Sequence, residues 1–249
     1  MLTSALALSL LAMTATACSG EVTRLGMPEP ISEQGKRVLT LWQGSWVAAL
    51  VTGVLVWGLI IWAVLFHRKR SEELPPQVRY NLPIEMLYTA VPFVIIAVLF
   101  YFTARDETYL EKTSAHPDVV VDVTAFQWSW QFDYPQHNVR IIGTPAGPDE
   151  NPGHKPVLVV PVGQTVRFNL HSNDVIHSFW VPALLYKKDV MPGYDNKFEV
   201  RLTKTGTYEG RCAELCGVDH SRMLFQMKVV TPAEFQQFVN TKKAAEGTQ

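Results

Sequence analysis

A chain of 249 residues that is 47% hydrophobic and 18% charged, with a formal net charge of −1, carries no basic excess of the kind that marks nucleic-acid binding, so any partner is met through local patches. Its three cysteines are too few for a disulfide framework. The apolar residues crowd before Tyr101, whereas the sequence beyond it alternates apolar and polar residues with Gly, Pro, Asp and Asn between. That contrast divides the chain into membrane segments and a water-soluble β domain.

Residues 1–17 are apolar and end in small residues that lead into Cys18. They read as an export signal of lipoprotein type, with Cys18 acylated and 18–40 an external N-terminal segment. Residues 41–66 form an almost unbroken apolar run without a charge, long enough to cross a hydrocarbon layer of about 30 Å as a helix. Trp42, Trp46 and Trp62 suit its interfaces, and His67-Arg68-Lys69-Arg70 marks the cytoplasmic side, which puts the N-terminus outside. Residues 67–81, with Pro75-Pro76, are too short for a domain and close a tight hairpin. A second span follows at 82–103, kinked at Pro92, and returns the chain to the outside. Glu85 near its cytoplasmic end is costly in lipid, so it either snorkels to the interface or faces protein or water.

Residues 104–232 make the external domain. Val119 to Val123 leads into Phe126 to Tyr134, where aromatics occupy every second position, which predicts one strand with an aromatic face. After a Gly- and Pro-rich loop at 143–156, strands are predicted near 157–161, 164–171, 197–204, 206–210 and 224–230, the layout of a sandwich or barrel. Thr231-Pro232-Ala233-Glu234 supplies an N-cap, an N1 proline and an N3 glutamate. The helix and tail at 233–249 then pack back through Phe235, Phe238 and Val239.

The densest chemistry lies in Cys212-Ala213-Glu214-Leu215-Cys216-Gly217-Val218-Asp219-His220-Ser221-Arg222-Met223. Thiolate, thioether and imidazole donors together favour copper over hard cations. A single-copper blue site uses one cysteine; two at C-x3-C spacing can bridge two coppers. His177 and His220 would then supply a nitrogen to each ion, Met223 a thioether and Glu214 a backbone carbonyl. A tetrahedral Cys2His2 zinc site and a Cys212–Cys216 disulfide remain alternatives, although neither uses Met223 or Glu214. An iron–sulfur site is a third. His137, His154 and His171 read as surface or strand residues.

This C-x-E-x-C-G-x-x-H-x-x-M run, behind a two-helix hairpin, resembles subunit II of haem-copper cytochrome c oxidases, and the likeness extends over nearly everything after Gln34. The Phe-Gln-Trp-Ser-Trp wording is most similar to bacterial, actinobacterial-like members. The resemblance implies a membrane α-helical hairpin plus an all-β cupredoxin-like domain holding a binuclear copper A centre on His177, Cys212, Glu214, Cys216, His220 and Met223. It also implies that the Glu214 carboxylate binds magnesium or manganese shared with subunit I, that Trp128 takes electrons from cytochrome c, and that Asp174 serves the outer copper shell and docking. Glu85-x-x-Tyr88-Thr89-x-x-Pro92 matches the mouth of a proton path. Tyr194 departs from the family's Pro-Gly-Arg. The implied partners are subunit I with haem a and the a3–copper B pair, further oxidase subunits, membrane lipid and a c-type cytochrome, free or held by a quinol–cytochrome c reductase. Oxygen reduction coupled to proton pumping would occur in subunit I, at the bacterial plasma membrane with both termini outside. A membrane-anchored copper carrier or zinc-stabilised module is the rival function.

Overall fold

The computed structural model describes residues 20–74, 76–145 and 154–246. Cys18 and the signal-like segment at 1–17 lie outside them. The chain forms two compact units, one of Thr40–Glu107 and one of the residues up to Leu39 together with Thr108–Gln249.

The helical unit consists of most of two long helices. A one-turn helix α1 (Gly20–Thr23) precedes them; α2 is Glu33–Phe66 and α3 is Leu82–Leu110. Each contains a stretch long and apolar enough to cross a membrane. Both run past the expected spans, α2 beginning ahead of residue 41 and α3 continuing beyond 103. Hydropathy marks where a helix meets lipid and says nothing about where its backbone ladder stops. Ala104-Arg105-Asp106-Glu107 contains neither Gly nor Pro, so nothing in it breaks the helix. Asn81 caps α3 through the Ile84 N–H, 3.4 Å away, and the Glu85 carboxylate accepts from the Asn81 N–H at 2.9 Å.

The other unit is a sandwich of two five-stranded sheets. The first has the order β3-β2-β1-β5-β8 and the second β4-β10-β9-β6-β7. The strands are β1 Val119–Phe126, β2 Ser129–Tyr134, β3 Val139–Ile142, β4 Val157–Pro161, β5 Thr165–Ser172, β6 His177–Val181, β7 Tyr186–Val190, β8 Asn196–Arg201, β9 Gly206–Cys212 and β10 Leu224–Val230. Pairing is antiparallel except for β1 with β5 and β4 with β10. The single aromatic strand expected at 126–134 is instead a hairpin. Phe126 pairs with Ser129, leaving Gln127 and Trp128 as its two-residue turn. Such a turn moves the inward positions from the odd residues Val119, Val121, Val123 and Ala125 in β1 to the even residues Trp130, Phe132 and Tyr134 in β2, so Phe126 does not share the face of Trp130 although the aromatic spacing runs unbroken through the reversal.

Trp130, Phe132 and Tyr134 do point inward; Trp130 meets Phe179 and Phe225, Phe132 meets Phe225, and Phe168 and Phe198 pack on Phe179, all seven at most 1% exposed. Trp130 and Phe225 pack edge to face at 5.3 Å and Phe179 stacks on Phe225 at 4.9 Å; such pairs add about 0.5–1.5 kcal/mol each beyond burial. Phe225 lies over Gly210, where an added Cβ would stand 2.2 Å from the ring. The Tyr134 hydroxyl ties the sheets together: it donates to the Val159 carbonyl and accepts from the Val159 N–H, each at 2.9 Å. Helix α4 (Pro232–Glu246) begins with the reciprocal Thr231–Glu234 capping bonds at 2.8 and 3.3 Å and buries Phe235 and Val239.

Two segments that gave no sequence signal anchor the β unit's chain ends. Ile31 donates to the Ala183 carbonyl and accepts from the Thr203 N–H, while Ser32 caps α2 through the Gly35 N–H at 2.9 Å. Behind α3, the Ser114 N–H and hydroxyl donate to the buried Glu199 carboxylate, which also accepts from Arg167.

Candidate metal centre

Three pieces of chain converge at one end of the sandwich: the start of β6, the loop from β9 to β10, and the β1–β2 turn. His177 opens β6 and is fully buried. Cys212 closes β9, cross-strand from Phe179, and a 3-10 turn at His220–Arg222 delivers Met223 just ahead of β10. The donors therefore hang from strand ends whose positions are set by the sheet ladders.

The Cys212 and Cys216 sulfurs are free thiols 3.9 Å apart, well beyond the roughly 2.05 Å of a disulfide. His177 Nδ1 lies 3.9 Å from Cys212 Sγ, and the Glu214 carbonyl oxygen 3.2 Å from the same sulfur. On the other side, His220 Nδ1 is 3.6 Å and Met223 Sδ 3.9 Å from Cys216 Sγ. All six donors named from the spacing thus meet around the sulfur pair. The donor atoms of His177, Cys212 and Cys216 lie within 4.8 Å of one another, a set that does not include His220. Thiolate, thioether and imidazole donors gathered at one point suit a soft metal rather than a hard cation.

The groups around the donors hold them in orientation. The Asp174 carboxylate meets His177 Nε2 at 2.8 Å and accepts from the Gln127 and Val175 peptide N–H groups, both at 2.7 Å. With Nε2–H given to Asp174, the Nδ1 lone pair faces Cys212, as a ligating histidine requires. Burial opposes charge on both partners, yet the hydrogen bonds prevail: Asp174 is held below the ordinary carboxylate range and His177 above the ordinary imidazole range, the latter through Cys212 and Asp174.

Burial raises the Cys212 thiol too, but the hydrogen bond with His177 and contacts with the Glu214 and Ser178 backbone bring it down to about 7. Cys216, desolvated and facing that thiolate, is pushed up to about 12. One thiolate is favoured here, and a second forms only against its neighbour's charge. Cations between the sulfurs would remove that conflict, and the soft sulfur and imidazole donors fit copper.

Trp128 is half-buried in the β1–β2 turn, and its indole Nε1 donates to the Cys216 carbonyl at 3.1 Å. Trp130, whose alternation marked it as packing, also holds the loop, donating to the Met223 carbonyl at 3.4 Å. Gln127 was not singled out by sequence reasoning; its Nε2 donates to the Cys216 carbonyl at 2.8 Å. The Glu214 side chain is exposed, as is Tyr194. Glu85 belongs to the helical unit, where it serves the start of α3.

Residues 119–230 match the family described as cytochrome c oxidase subunit II, periplasmic domain. A probable cytochrome c oxidase subunit 2 of Streptomyces avermitilis is 50% identical over 95% of this chain and 85% of its own length. Cytochrome c oxidase subunit 2 of Mycobacterium tuberculosis is 37% identical over 94% and 80%. The crystal structure of the periplasmic domain of subunit II of the Bradyrhizobium japonicum cytochrome oxidase shares 34% identity, covering 53% of this chain and 99% of that one, with a TM-score of 0.48. At half identity over nearly its whole length, the chain belongs to the cytochrome c oxidase subunit II family.

Proposed function

We propose that His177, Cys212, the Glu214 carbonyl, Cys216, His220 and Met223 hold a binuclear copper A centre through which this oxidase subunit takes single electrons from a c-type cytochrome and passes them to haem a in subunit I. The observation that carries this reading is the convergence of four further donors on one sulfur pair. A bound copper pair supplies a one-electron acceptor whose change of charge is shared between two ions. The chain's part is to keep the surroundings still: strand ends fix the sulfurs, Asp174 fixes the imidazole of His177, and Trp130 fixes the Met223 backbone. Trp128 is the surface group that meets the donor, since its indole is partly open and is hydrogen-bonded to a ligand residue's carbonyl.

The two apolar helices span the plasma membrane as a hairpin with both termini outside, Cys18 carries lipid, and the exposed Glu214 carboxylate offers an oxygen ligand for magnesium or manganese toward subunit I. Glu85 admits protons to subunit I, where proton pumping is coupled to oxygen reduction. The test of the centre is direct: the oxidase purified with this chain contains two coppers on it and gives a multi-line mixed-valence EPR signal. One copper per chain, or zinc in its place, overturns the reading.

A further inference from the structure

The turn that carries Trp128 is fastened to the metal loop at more points than a hairpin turn needs. The Cys216 carbonyl accepts two hydrogen bonds, from Gln127 Nε2 at 2.8 Å and Trp128 Nε1 at 3.1 Å. The Gln127 peptide N–H reaches Asp174 at 2.7 Å, and Asp174 holds His177 at 2.8 Å. The turn is thus linked to both cysteine-side and histidine-side donors, although Gln127 is itself exposed and adds nothing to the core. Gly217 completes the arrangement. Its φ of +122° is one that L side chains rarely adopt, and an added Cβ would stand 3.0 Å from Trp128 Cζ2, 3.1 Å from Nε1 and 3.3 Å from Gln127 Nε2. The indole lies flush against the Cys216–Gly217 backbone because position 217 has no side chain.

We propose that Gly217 and Gln127 are positioning residues for electron uptake, forming a seat that holds the Trp128 indole on the Cys216 carbonyl. The inference rests on the reading that Trp128 receives electrons from the donor. In that step one electron leaves the ferrous haem of the c-type cytochrome and is gained at the sulfur-held metal, with no bond made or broken. The indole N–H and the Cys216 carbonyl are the short link between protein surface and ligand residue, and its quality depends on how firmly the indole is seated.

The experiment uses the whole oxidase carrying Trp128→Phe, Gly217→Ala, Gln127→Ala, or Gly217→Ala in the Trp128→Phe background. Electron uptake from a reduced c-type cytochrome is followed by rapid mixing and the copper EPR signal is recorded. Hydroxyl-radical footprinting of the copper-free full chain reads the exposure of Trp128. Gly217→Ala and Gln127→Ala should each keep the EPR signal, increase oxidation of Trp128 and slow uptake, by up to the full loss seen in Trp128→Phe. In the Trp128→Phe background Gly217→Ala should add nothing, an interaction a merely structural role would not produce. If Gly217→Ala loses copper through backbone strain, Gln127→Ala, which makes no such demand, decides alone. Unchanged uptake in Gln127→Ala, with Trp128→Phe slowed, overturns the seat and leaves Trp128 as the receiving group; unchanged uptake in Trp128→Phe overturns the reading beneath it.

Discussion

Replacing Asp174 by asparagine tests how the donor set is held. The carboxylate accepts from three donors: His177 Nε2 at 2.8 Å and the peptide N–H groups of Gln127 and Val175 at 2.7 Å. Asparagine retains one acceptor oxygen and replaces the other by an NH2 donor. If its oxygen serves His177 and Val175, the NH2 is aimed at the Gln127 N–H and the Trp128 turn is pushed away. If the amide turns round, its NH2 faces His177 Nε2, which must then accept; the imidazole proton moves to Nδ1 and occupies the lone pair that faces Cys212. Either outcome disturbs a ligand or its neighbour without altering the volume of the side chain. Removal of such outer partners of a metal-bound histidine typically lowers affinity by about 10–100-fold, equivalent to roughly 1.4–2.7 kcal/mol. Copper competition with a chelator of known affinity, on the full chain in detergent, measures the change, and far-UV circular dichroism checks that the sandwich persists. A change in copper affinity too small to resolve would refute the orienting role of Asp174.

Three further outcomes follow from the same geometry. Cys216→Ser removes one of two sulfurs 3.9 Å apart, so metal analysis should find fewer than two coppers and the multi-line EPR signal should vanish; two coppers with an intact signal would count against bridging thiolates. Tyr134→Phe leaves the Val159 N–H and carbonyl without their partner, a loss of about 2–4 kcal/mol that should lower the Tm of the β unit by roughly 10 °C, and an unchanged Tm would show that these bonds are remade elsewhere. Chelating the copper should make Cys212 and Cys216 alkylatable while near-UV circular dichroism of the aromatic cluster persists, because Trp130, Phe179 and Phe225 pack on one another rather than on the donor atoms; collapse of that signal would mean that the fold depends on copper.

The readability of the sequence differed between elements for physical reasons. Long apolar runs located both membrane-type helices, but only the hydrogen-bond ladder sets where α2 and α3 end. The inward-facing aromatics of β2 are legible because strand parity is strict, but the β1–β2 reversal is hidden because the aromatic spacing continues through it and Gln127-Trp128 lacks the Asn, Asp or Gly that announces a two-residue turn. Strand β7, Tyr-Lys-Lys-Asp-Val, is an edge strand whose charges guard it against mispairing and thereby erase its hydrophobic signature. The donor loop was legible because a ligand must be of a particular chemical type. Its supports were harder to see: Gln127 is an ordinary polar residue in an exposed turn, and its purpose appears only when the Cys216 carbonyl, 89 positions later, is placed 2.8 Å away.

Those supports also fix how far apart the two sulfurs stand. Two sulfurs 3.9 Å apart repel once both are ionised, since each thiolate disfavours the charge of the other. A flexible loop would relieve that repulsion by moving the sulfurs apart. Here Cys212 is held by β9, where its N–H donates to the Met223 carbonyl at 3.1 Å, and Cys216 is held through its carbonyl by Gln127 and Trp128. Because these hydrogen bonds tie the sulfur separation to the sandwich, cations bound between the sulfurs would relieve a repulsion that movement of the loop could not. The same hydrogen bonds connect Trp128 to the loop, so the contacts that preserve the binding geometry also maintain the proposed route for electrons.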